Sequence, residues 1–203
     1  MKRRFPFWML VIIAVLQVNG AAASEYLKWE KLATLPDRVG VAAPFAGISS
    51  NALIVAGGAN FPDTMPWEGG RKIWQDAAYV LPGPESEWKT GFKLPRPNGY
   101  GVSITGMGGL ICIGGGDEKE HFRDVILLRW NGQELVAESL PPLPQGNAFQ
   151  SGALLGNTIY IAGGIETPDG NTAWWPKAPA QTPRIPTEGL KHVWDFQYTG
   201  LLR

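Results

Sequence analysis

Leu53-Ile54-Val55-Ala56-Gly57-Gly58, Leu110-Ile111-Cys112-Ile113-Gly114-Gly115 and Ile159-Tyr160-Ile161-Ala162-Gly163-Gly164 are three versions of one phrase. Each is an apolar run of four, rich in β-branched residues and closed by a glycine pair. Each follows a polar or glycine turn: Ser49-Ser50-Asn51, residues 106–109 and Gly156-Asn157. Short apolar runs bounded by turn residues read as buried strands rather than helices. The first glycines stand at 57, 114 and 163, spaced by 57 and 49 residues.

Working outward, a small-residue strand is predicted before each run, over residues 42–48, 100–105 and 150–155. A further strand follows the first two glycine pairs, over residues 77–81 and 125–128. Trp88 and Trp130 come next, and the units close on Leu94-Pro95 and Leu140-Pro141. Four strands per unit at a period near 50 are the signature of a kelch β-propeller. Glycine pairs suit the centre of such a ring, where blades converge and the backbone turns tightly without a Cβ. Residues 26–36 carry only the end of a unit, Trp29 and then Leu35-Pro36, and read as an outer strand that closes the ring. The expectation is an all-β, kelch-type β-propeller over residues 24–175: two complete blades, a closing strand and a partial third blade.

The ends of the chain read differently. Lys2, Arg3 and Arg4 precede an apolar run over residues 5–16, and Ala21-Ala22-Ala23 precedes Ser24, so residues 1–23 read as a secretory signal peptide. An uncleaved anchor is the alternative, although the run is short of the roughly 20 residues that span a bilayer. Cleavage leaves 15 Lys+Arg against 18 Asp+Glu, a mildly acidic exported chain with no stable membrane span, and the bacterial periplasm is the expected location. Residues 176–203 hold Pro176, Pro179, Pro183 and Pro186 and no third Trp/Leu-Pro close. They read as an irregular tail of the kind a frameshifted or truncated gene leaves, with a docked helix over 189–198 as the alternative.

Composition narrows the function. The 203 residues include 26 Gly, 17 Pro and nine Trp, too aromatic for disorder. Formal net charge is zero, which gives no support for nucleic-acid binding. A single cysteine excludes an intramolecular disulfide framework and a thiolate zinc site, and Cys112, inside a strand, reads as a buried small apolar residue.

The run Gly40-Val-Ala-Ala-Pro-Phe-Ala-Gly-Ile-Ser-Ser-Asn-Ala-Leu-Ile-Val-Ala-Gly-Gly-Ala-Asn-Phe-Pro62 resembles the cyclically permuted mutarotase family, kelch-propeller proteins related to N-acetylneuraminate (sialic acid) epimerase. Pro97-Asn98-Gly99-Tyr100-Gly101-Val102-Ser103 and Asp124-Val125-Ile126-Leu127-Leu128 continue the resemblance, which spans about residues 26–175. It implies a six-bladed ring, of which this chain supplies a part, and a reaction that interconverts the α and β anomers of sialic acid without metal or organic cofactor. The family's proposed acid/base glutamate lies in a segment resembling Gly-Glu-x-x-Pro-Gly-x-Arg, which these 203 residues do not contain. A non-catalytic kelch module that binds glycans or proteins is the other function class. Pairing of two chains would cover blade faces left open.

Such a reaction needs a proton acceptor and donor, and a cation for the sugar carboxylate. Candidates lie in loops near the glycine pairs. Glu118 and His121 are the acid/base candidates; Asn60, Arg71, Asn98, Tyr100 and Arg123 are the substrate-binding candidates. Asp63, Arg96, Asp117 and Glu166 share those loops. Each has a structural reading beside the functional one. Arg71 and Arg123 suit loop charges or blade–blade ion pairs, Asp117 and Glu118 solvated turns, and Asn98 a turn. Tyr100 fits a strand cap or a sugar platform, and Trp67 and Trp74 fit a core or a platform. His121 and His192 stand alone, without a second ligand at metal spacing.

Overall fold

A computed structural model describes residues 29–168 and the pair Phe196–Gln197. The chain divides into two units, residues 1–32 and 33–203. Of the first, residues 29–32 are exposed and irregular. The expected signal segment, His192 and nearly all of the proline-rich tail lie outside the described residues.

The described residues of the second unit are all-β apart from one short 3-10 turn. Strands β1 (Phe45–Ser49), β2 (Ala52–Ala56), β5 (Ala77–Leu81) and β6 (Lys89–Lys93) form an antiparallel sheet in the order β1-β2-β5-β6. The excursion between β2 and β5 carries the two-residue strands β3 (Ala59–Asn60) and β4 (Ile73–Trp74), paired to each other, and a 3-10 turn at Pro66–Glu68. Strands β7 (Val102–Gly106), β8 (Gly109–Ile113), β9 (Val125–Trp130) and β10 (Leu135–Leu140) form the second antiparallel sheet, in sequence order. In the third, β11 (Ala148–Leu155) pairs with β12 (Thr158–Ile165), whose other edge meets β13 (Phe196–Gln197).

The sheets stack face to face, and the pleat explains which residues are apolar. Successive side chains point to opposite faces of a strand. On β8, Leu110 and Cys112 join Phe45, Ile54 and Val80 of the first sheet in one core cluster. The alternate residues Ile111 and Ile113 join Ile159 and Ile161 of the third sheet in another. β8 is therefore buried on both faces, which is why it reads as an unbroken apolar run. β2 is buried on one face only, and its Leu53 and Val55 are half-buried on the other. The outer face of β11 and β12 is also open, leaving Leu155 72% exposed.

Four expectations need correction. Trp130 does not open a fourth strand. It ends β9, 5% exposed, with its ring edge-on to Phe92 at 5.6 Å, and the turn to β10 follows it. Trp88, by contrast, sits just before β6 and donates from Nε1 to the Ala33 carbonyl at 2.9 Å. Leu140-Pro141 is not the counterpart of Leu94-Pro95. Leu94 N–H donates to Asp76 O and Leu143 N–H to Arg123 O, both at 2.7 Å, and both leucines are buried beside a glycine pair. Leu143-Pro144 closes the second sheet. Residues 29–36 form no strand: a strand needs a partner, and none of the described residues pairs with them. Finally, the tail is not wholly irregular, since Phe196 and Gln197 pair with Ile159 and Thr158.

Candidate functional site

The glycine pairs are held by one repeated set of bonds. Gly58 N–H donates to the Asn98 carbonyl and Gly115 N–H to the Asn147 carbonyl, both at 2.8 Å. The side-chain amides return the contact: Asn98 Nδ2 donates to Gly114 O at 3.0 Å and Asn147 Nδ2 to Gly163 O at 3.1 Å. Each asparagine thus ties the glycine pair of the preceding sheet to that of its own. Asn98, 3% exposed, gives its Nδ2 to this clasp, while its Oδ1 has no hydrogen-bond partner among the described residues. Asn60 is consumed elsewhere: its Nδ2 donates to Gly40 O at 2.9 Å and its Oδ1 accepts from Gln75 Nε2 at 2.8 Å.

Two residues after each asparagine the backbone turns left-handed, at Tyr100 (φ 64°) and Phe149 (φ 60°), as it does at Ala43 (φ 49°). That conformation costs a side-chain-bearing residue about 1–2 kcal/mol. It is held by bonds from sheet to sheet, Tyr100 N–H to Ala43 O at 3.0 Å and Phe149 N–H to Tyr100 O at 2.8 Å. The rings of Tyr100 and Phe149 consequently lie side by side, 4.7 Å apart, where β7 and β11 begin.

Charged and polar groups gather around these rings. Lys72 Nζ lies 4.1 Å from the Tyr100 ring centre and 4.5 Å from that of Trp74. Burial lowers the Lys72 ammonium to about 8, and burial also raises the Tyr100 phenol above its ordinary value. Beside them opens a shallow cavity of about 170 Å³, lined by Lys72, Trp74, Pro97, Asp117, Glu118 and Lys119 among others. Arg71 reaches Glu118 across it at 2.7 Å, joining the loops of two sheets through an exposed ion pair. Asp117 Oδ1 accepts from the N–H groups of Lys119 and Glu120, shaping the turn below.

On the far side, His121 packs edge-on to Phe149 at 5.8 Å, and its Nδ1 sits 2.7 Å from the Ile165 carbonyl. A carbonyl only accepts, so Nδ1 carries the proton and Nε2 of the neutral ring is left as a base. Arg96 lies over Phe122 at 4.1 Å and reaches Asp124 at 2.5 Å. Trp67 is 79% exposed and stands apart, and Arg123, Asp63 and Glu166 are exposed. Cys112 is buried, as its strand position implies, and burial raises its thiol far above the ordinary range. Among the described residues no three His, Cys, Asp or Glu side chains are grouped to hold a metal.

Of the sequence candidates, the fold therefore unites Arg71 with Glu118, and Tyr100 with Trp74. His121 joins them through Phe149. It sets Asn60 and Asn98 to structural work and leaves Arg123 outside. Lys72 and Phe149 are members that the sequence reading missed. Lys72 lies two residues before Trp74, on the same side of β4, and Phe149 follows Asn147 as Tyr100 follows Asn98.

The described residues form an all-β arrangement of small antiparallel sheets, stacked through glycine-paired strands. A solved structure described as the structure of YjhT, a kelch-type propeller, superposes with a TM-score of 0.51 at 28% identity, over 57% of this chain and 36% of that one. A family model described as N-acetylneuraminate epimerase matches residues 15–137, more than half of the sequence, and the chain belongs to that family. It is 35% identical over 127 residues to the N-acetylneuraminate epimerase of Brucella suis, covering 55% of this chain and 32% of that protein. It is 37% identical over 109 residues to that of Yersinia pestis strain Pestoides F, covering 49% of this chain and 27% of that protein. The matched part of the chain spans about a third of the length of these relatives.

Proposed function

We propose that the chain acts on N-acetylneuraminate and interconverts its α and β anomers. The family match over residues 15–137 carries this reading. The two complete sheets are blades of a six-bladed ring and the third sheet begins another blade. Residues 1–23 direct export to the periplasm, and association with a further copy covers the open sheet faces.

The chemistry is a ring opening. A base takes the proton of the anomeric hydroxyl as an acid protonates the ring oxygen, the C–O bond to that oxygen breaks, and the ketone forms. Rotation presents its other face, and the same groups reverse the transfers. His121, with Nε2 as the proton acceptor, and Glu118, oriented by Arg71, suit the two roles. Aromatic faces at Tyr100, Phe149 and Trp74 suit the apolar face of a pyranose.

A second reading has an observation of its own. Both acid/base candidates are already engaged, His121 Nδ1 with the Ile165 carbonyl and Glu118 with Arg71, which favours a sialic-acid-binding module without turnover. Anomer exchange followed by NMR in the presence of the full chain separates the two: acceleration over buffer supports catalysis, and binding without acceleration supports the module.

A further inference from the structure

We propose that the Phe149 ring is the surface on which the sugar rests, and that it sets the sugar beside His121. The inference rests on the preceding section for the sugar and for the role of His121, and on Phe149 itself for the contact.

The backbone supplies the first argument. Phe149 is left-handed at φ 60°, a conformation that strains a residue with a side chain and that glycine adopts freely. The chain does place glycine at neighbouring left-handed positions, Gly114 and Gly115 at φ 64° and 89° and Gly163 and Gly164 at 73° and 92°. Nor does the bond from sheet to sheet call for a ring. Ala43 stands at the corresponding place on the first sheet, with φ 49°, and its carbonyl holds the Tyr100 N–H with only a methyl group as side chain. Strain that the local structure does not require points to function.

Burial supplies the second. Phe45 and Phe122 are 1% and 3% exposed, whereas Phe149 is 52% exposed, although the Tyr100 ring lies 4.7 Å from its own. The ring is therefore not placed to fill a core. A phenyl ring carries no hydrogen-bonding group, so its open surface is apolar and electron-rich. A pyranose meets such a surface with the hydrogens of its ring carbons and keeps its hydroxyls free. His121 supplies the third argument. The Ile165 carbonyl fixes its imidazole at 2.7 Å, and the imidazole stands against Phe149 with ring centres 5.8 Å apart and planes at 70°. Carbon atoms in contact lie about 3.5–4 Å apart, so a sugar resting on Phe149 lies alongside the imidazole.

The test is calorimetric titration and proton NMR of the full chain with N-acetylneuraminate and with methyl β-galactopyranoside, for wild type, Phe149→Leu and Phe149→Tyr. Leucine keeps an apolar side chain at the site without a ring, and tyrosine keeps the ring. In wild type, protons of the bound sugar that lie over the ring should shift upfield. Phe149→Leu should weaken binding by about three- to tenfold, the scale of one aromatic contact, and lose that shift. Phe149→Tyr should keep both. Unchanged affinity or an undiminished shift in Phe149→Leu, or no upfield shift in wild type, overturns the assignment and leaves the sialic acid reading standing. Phe149-dependent binding of the galactoside without binding of N-acetylneuraminate upholds the platform and overturns the sialic acid reading. Wild type that binds neither sugar overturns both. Should Phe149→Leu fail to fold by near-ultraviolet circular dichroism, Phe149→Gly, whose backbone suits a φ of 60°, takes its place in the comparison.

Discussion

Asn98 Nδ2 donates to the Gly114 carbonyl at 3.0 Å while the Asn98 carbonyl accepts the Gly58 N–H. One residue therefore fastens two sheets. The amide is buried, so its loss leaves the Gly114 carbonyl without that donor. Asn98→Ala is expected to lower stability by about 1–3 kcal/mol, the cost of an unsatisfied buried polar group. Urea denaturation measures it.

The glycine pair needs both of its properties, the left-handed backbone and the missing Cβ. Gly115 has φ +89°, and a Cβ there meets the Asn98 side-chain oxygen and the Gly99 carbonyl. Gly132 has φ +101° with open space around it. Gly132→Ala should cost about 1–2 kcal/mol of backbone strain. Gly115→Ala adds the collision with Asn98 and should cost clearly more. Equal melting-temperature losses in the two variants would contradict the clasp.

Leucine truncation decides which Leu-Pro closes the second sheet. Leu143 is 1% exposed and packs with Val125, Leu127 and Ile161, whereas Leu140 lies half-buried at the end of β10. Leu143→Ala should cost about 2–5 kcal/mol, as for a fully buried leucine, and Leu140→Ala distinctly less. Chemical denaturation of the pair gives the comparison.

How much of this was legible in the sequence follows from what each residue depends on. β5 was readable to the residue, and β2, β8 and β12 by their apolar runs, because burial within a sheet marks the local sequence directly. The second closing turn was misread because residues 140–144 hold two Leu-Pro pairs, and only the bond from Leu143 N–H to Arg123 O selects between them. The asparagine clasp was readable in principle: Asn98 and Asn147 each stand 16 residues before the first glycine of a pair. Lys72 was not. Its setting comes from Tyr100 on another sheet, and no local pattern brings the two together.

Lys72 also links stability to pH. Its folded value of about 8 lies below the ordinary 10.5, so the unfolded chain holds this proton more firmly. Below pH 8 both states carry the proton and the full cost of burying the charge is felt. Between pH 8 and 10.5 the folded state releases it first, so stability rises with pH there. The stability of wild type relative to Lys72→Met should therefore increase across that interval. For a half-exposed group the gain is about 1–2 kcal/mol after allowing for solvent screening. Guanidinium melts at pH 7.5 and 10 check it, and a difference that stays flat would contradict the buried ammonium.

The most direct test of the account is the rate at which freshly released α-N-acetylneuraminate converts to the β anomer, followed by proton NMR with increasing amounts of the full chain. The account predicts a first-order rate that rises in proportion to protein concentration and falls in Glu118→Gln and His121→Asn. A rate equal to that of buffer at every protein concentration would contradict it.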